Sequence, residues 1–215
     1  ATERGVVGDV TIVTAPHPDA ETDPDVRGLR VAVWAYLADL GGNVYRISGD
    51  SANSAIESAE PADWTITKIA SLGCADTATD CASNRKFLFG PDVIFDSLSG
   101  TYVLMIGSGD REKPTYGYAE TYEVDNYFFS LRDRPTESSW LAAEAGTCGG
   151  NNLICLDSLY GIDWDDPTPS TSDLATKPRG WKLGMRDHEQ VVTSANFLID
   201  SESRIRMGGG GMAGM

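Results

Sequence analysis

The sequence predicts an all-β fold of propeller-like antiparallel sheets, a partial or small propeller with long loops and two local disulfides. Three observations carry that expectation. Short runs rich in β-branched and aromatic residues recur along the chain, helical periodicity is scarce, and four cysteines fall into two local pairs. At 215 residues the chain is long enough for one domain with a sizeable core.

The strands are expected at 7–13 (VGDVTIV), 31–40 (VAVWAYLADL), 44–47 (VYRI), 64–70 (WTITKIA) and 85–90 (RKFLFG). Others follow at 91–96 (PDVIFD), 101–107 (TYVLMIG), 125–133 (DNYFFSLRD), 180–185 (GWKLGM) and 190–200 (QVVTSANFLID). Most are bounded by Gly, Pro, Asp or Asn, which punctuate strands because they suit turn backbones. The GGN at 41–43 marks a tight turn. Two stretches do not read as strands: 136–146 (TESSWLAAEAG) predicts a short helix, and 163–179 predicts a long surface loop because it is rich in Pro, Ser and Thr. Residues 1–207 are expected to form the propeller domain and 208–215 a glycine-rich tail. A blade takes about 40–50 residues, so a portion of a larger ring is the natural reading.

Cys74 and Cys81 flank six residues, as do Cys148 and Cys155. Local pairs Cys74–Cys81 and Cys148–Cys155 are the simplest of three possible connectivities. A four-thiolate zinc site is the rival, although its ligands usually come as C-x₂₋₄-C. Disulfides imply an oxidising compartment and a secreted chain.

Lys and Arg total 17 against 32 acids, a net charge of −15, which repels phosphate backbones and argues against nucleic acid as a partner. No apolar run reaches the ~18 residues that span a bilayer as a helix. Without a signal-like start, either secretion is not involved or the leader is already removed, and the cysteines favour removal.

Residues 105–114, MIGSGDREKP, invite a phosphate-loop reading that fails on three counts. No Lys-Ser/Thr follows, Pro114 opposes a helix, and the Asp110 and Glu112 carboxylates would repel phosphate. The stretch reads instead as a strand end, with Asp110 and Arg111 expected to pair with turn backbone or with Arg132 and Asp133. Catalysis by a positioned base finds only His17 and His188, distant in sequence, so no enzyme is expected. The alternatives are a secreted glycan-active propeller enzyme with dispersed acids and a generic extracellular β domain. The aromatics Trp34, Tyr36, Tyr45, Trp64, Tyr102, Tyr127, Phe128, Phe129 and Trp181 lie in the expected strands and should fill the core. Met207, Met212 and Met215 in the tail suggest docking on a partner by strand addition.

Asp19, Glu21, Asp23 and Asp25 alternate through DAETDPDVRG and could supply several of the oxygens that calcium takes; the rival is a solvated acidic loop.

Three co-linear blocks, covering about half the chain, carry a resemblance. They are VVGDVTIV leading to YLADLGGNVYRI, then RKFLFGPDVIFDSLSGTYVLMIGSGDREKP with DNYFFSLRDRP, then GWKLGMRDHEQVVTSANFLID. Together they resemble the C-terminal β-propeller domain of the type IV pilus biogenesis factor family PilY1/PilC. The resemblance implies a secreted, cell-surface or pilus-tip protein that supports pilus assembly with minor pilins and takes part in adhesion to host or surface ligands. It also implies an Asp-rich calcium loop at 19–28, where Arg27 stands in place of an expected acid, Arg30 in place of another, and Pro24 interrupts.

Overall fold

A computed structural model describes residues 5–74, 84–109, 124–163 and 170–185. The described chain is all-β, arranged as two sheets with one core between them. The first sheet is a four-stranded antiparallel meander in the order β1-β2-β3-β4: β1 Thr11–Pro16, β2 Arg30–Ala38, β3 Asn43–Ser48 and β4 Thr65–Ser71. Its alternation is readable in β3, where Val44, Arg46 and Ser48 are buried and the residues between them half-buried.

The turn joining β2 to β3 falls where GGN predicts it. Gly42 has φ +73°, and a Cβ there would collide with the backbone of Gly73, so glycine meets two demands at once. The Asp39 carboxylate organises this turn. It accepts from the N–H groups of Gly41 and Asn43 at 2.8 and 2.9 Å, from Asn43 Nδ2, and from the Tyr45 hydroxyl at 2.9 Å.

The second sheet runs β5-β6-β7-β9-β8: β5 Asp92–Asp96, β6 Thr101–Gly107, β7 Tyr127–Asp133, β8 Tyr160–Ile162 and β9 Gly180–Gly184. The β5–β6 hairpin turns through Gly100 at φ +64°. β6, β7 and β9 pair antiparallel, but β8 and β9 are parallel, which departs from the all-antiparallel expectation. The physical reason is the long connection between them, which contains α2 (Thr171–Thr176) and has the length that a parallel crossover requires.

Three further expectations are corrected. Residues 85–90 form no strand: Arg85 N–H bonds Gly73 O and Phe87 N–H bonds Asp39 O, so the segment is tied to turn backbone while crossing from one sheet to the other. The loop expected at 163–179 contains α2, capped by Ser170 and Asp173 in a reciprocal box; that Ser-x-x-Asp signal outweighs the local proline and serine content. The helix expected over 136–146 shrinks to α1, Ser139–Ala142, followed by turns. The strand expected at 190–200, the 208–215 tail with Met212 and Met215, and Met207 lie outside the described residues.

The core joins Trp34, Tyr36 and Val44 of the first sheet with Leu104, Ile106, Phe129 and Leu131 of the second, and adds Phe87 from the crossing segment. Trp64 departs from the expectation of aromatic burial. It stands just before β4, 40% exposed, with its indole N–H donated to Ala59 O. Cys148 and Cys155 form a disulfide with Cα atoms 5.8 Å apart, closing the turn that follows α1. Cys74 is also disulfide-bonded, and the residue expected to complete it, Cys81, lies outside the described residues.

Candidate functional site

Among the described residues, a buried charge cluster lies between the sheets. Asp133, at the end of β7, is fully buried, and its Oδ2 accepts from Arg46 Nη1 at 2.6 Å and from the Tyr36 hydroxyl at 3.0 Å. Arg46 reaches across from β3, donates Nη2 to Ala52 O at 2.8 Å, and lies 5.7 Å from the Trp34 ring. Burial, with the adjacent Asp133 carboxylate second, pushes the Tyr36 phenol well above its ordinary range. The trio is a clamp between sheets joined through Asp133 Oδ2, while Arg46 Nε and Asp133 Oδ1 make no hydrogen bond. The pairing expected of Asp110 and Arg111 lies outside the described residues; Asp133, expected to share in it, is taken up by the first sheet.

A second cluster sits on the insertion between β7 and β8. The guanidinium groups of Arg179 and Arg134 lie over the Trp140 ring, 3.8 and 4.5 Å from its centroid, and Trp140 donates its indole N–H to Arg132 O. Arg179 Nε lies 2.9 Å from Glu144 Oε1, close enough for an ion pair but without hydrogen-bond alignment. Burial lowers the Arg179 pKa and Glu144 opposes that shift. The sequence signals no such arrangement, because its members are spread from 134 to 179.

Asp19, Glu21, Asp23 and Asp25 lie in the β1–β2 connection, all exposed, on backbone folded into successive turns by Thr22 N–H and Asp23 N–H donating to Asp19 O. Asp23 Oδ1 accepts from Asp25 N–H at 2.9 Å. Among the described residues no three His, Cys, Asp or Glu side chains are gathered as metal ligands, so this structure does not bring the four acids together. His17 accepts from Asp19 N–H through Nδ1 at 3.2 Å, and His188 lies outside the described residues.

Tyr45 yields a pH prediction. Burial, then its hydrogen bond to Asp39, raises the phenol from 10.0 to about 12. A raised folded-state value means that the stabilisation is complete below pH 10 and is lost as pH climbs toward about 12. The thermal midpoint of the native chain should therefore exceed that of Tyr45→Phe below pH 10, and the gap should narrow toward pH 12. A gap unchanged by pH would contradict this coupling.

The chain matches no known protein family, and no curated protein matches it. Among solved structures it is similar to the Pseudomonas aeruginosa PilY1 C-terminal domain, at a TM-score of 0.50 and 15% sequence identity, over 85% of this chain. The fold is PilY1-like. The match takes in 39% of the other chain, so this sequence spans well under half of that PilY1 domain. The PilY1-like likeness agrees with the sheet architecture expected from the sequence, and at this identity it speaks to the fold alone. No helix among the described residues is long and apolar enough to cross a membrane.

Proposed function

We propose that this chain is a non-enzymatic β domain of a secreted, cell-surface protein that works at the type IV pilus, supporting assembly with minor pilins and contributing to adhesion. The observation that carries this reading is the PilY1-like arrangement of the two sheets. The Cys148–Cys155 disulfide supports it, since such bonds persist in oxidising compartments. Both prominent charge clusters are structural: one ties sheet to sheet and the other anchors an insertion. Calcium at Asp19, Glu21, Asp23 and Asp25 belongs to this proposal only if binding itself gathers those acids.

The test is co-purification. The tagged chain should be recovered with sheared pili and should bind purified minor pilins, and it should turn over no member of a glycan panel. Recovery free of pili together with no pilin binding would refute the proposal. Turnover of a glycan would replace it with the enzyme reading.

A further inference from the structure

Among the described residues the two sheets present four outer strands, and three of them are guarded. β1 ends in Pro16, which has no N–H, and the Arg30 guanidinium donates to Thr14 O at 2.6 Å. β4 is already bonded on its outer side by Ile154, whose N–H donates to Ile69 O while its carbonyl accepts from Ser71 N–H. β8 is three residues long. β5 differs: it has five residues and no proline, and among the described residues it pairs with β6 alone. Apolar side chains crowd this edge, with Ile94 53% and Phe95 52% exposed and Leu98 of the following turn 99% exposed.

Its ends decide what can pair there. Asp92, Ile94 and Asp96 share one face, with the acids about 13 Å apart by strand rise. If a second copy paired antiparallel about Ile94, each Asp92 would face the partner copy's Asp96, and like charges directly opposite are unfavourable. The same two acids complement a foreign strand that carries cations four residues apart. Asp96 is held in place for that role, because its carboxylate accepts from Leu98 N–H and from the Ser99 hydroxyl.

We propose that the open edge of β5 is a docking site for an extended partner strand of the pattern basic-apolar-apolar-apolar-basic, added antiparallel so that its two cations face Asp92 and Asp96. Backbone hydrogen bonds would supply the general affinity and the end charges the choice of partner. This inference stands apart from the pilus reading, since it rests on the edge alone.

The probe is a blocked synthetic peptide, Thr-Lys-Val-Val-Val-Lys-Thr, compared with the same peptide carrying Glu for both Lys, titrated into isotope-labelled chain by NMR. The Lys peptide should bind at least about tenfold tighter than the Glu peptide, from two facing charge pairs reversed in sign. Its shift changes should centre on β5 and β6. The double variant Asp92→Lys/Asp96→Lys should invert the preference, and its native spectrum away from β5 would show that it folds. Equal affinities, shifts mapping elsewhere, no binding of the Lys peptide at millimolar concentration, or self-association of the unsubstituted chain through β5 would each overturn the proposal.

Discussion

Replacing Asp133 by alanine is expected to lower stability by about 3–5 kcal/mol, read as a shift in the urea midpoint. The size follows from what is left behind. The Arg46 side chain is 3% exposed and would keep its charge with only the neutral Ala52 carbonyl and the Trp34 ring beside it, while the Tyr36 hydroxyl would lose its acceptor. Removing one member of a buried pair costs far more than the pair contributes net, because the orphaned charge cannot regain water. A combined Tyr36→Phe/Arg46→Met/Asp133→Leu variant should therefore recover most of the loss. An Asp133→Ala chain within about 1 kcal/mol of the native one would show that Arg46 reaches solvent and that the clamp is not closed. Because Asp133 belongs to the second sheet and Arg46 to the first, amide exchange should accelerate in both sheets together.

Much of the strand layout was legible in the sequence because it depends on local chemistry. β6 spans the residues its β-branched and aromatic run marks, and the GGN turn is marked by the glycine that a positive φ at residue 42 favours. What escaped depends on distant partners. Residues 85–90 have strand-forming side chains, but their N–H groups are claimed by Asp39 and Gly73, so intrinsic preference yields to tertiary context. The β8–β9 pairing is parallel because of the insertion between them, and no short window reports that. The clamp was half-visible: alternation in β3 puts Arg46 on the same face as Val44, so a buried cation could have been inferred. Its counter-charge lies 87 residues away, and a single sequence offers no signal to connect them.

Phe129→Ala is expected to cost about 3–5 kcal/mol, the range for emptying a fully buried aromatic site. Phe129 is 0% exposed and lies edge-on to Phe87 with ring centroids 5.9 Å apart, so it meets the segment that crosses between sheets. Its sequence neighbour provides the control. Phe128 points to the opposite face of β7, where it is half-buried against Trp181 at 6.0 Å, so its truncation should cost clearly less. That contrast tests the register of β7 itself, since a one-residue slip would exchange the two phenylalanines and reverse the order of the effects. Leucine at either Phe87 or Phe129 should be milder, and a double-mutant cycle between them should show a coupling of about 0.5–1.5 kcal/mol from the edge-to-face contact. Additive losses would mean that Phe87 is held by its backbone bond to Asp39 rather than by the ring it meets, and the crossing segment would then be anchored by the turn instead of by the core.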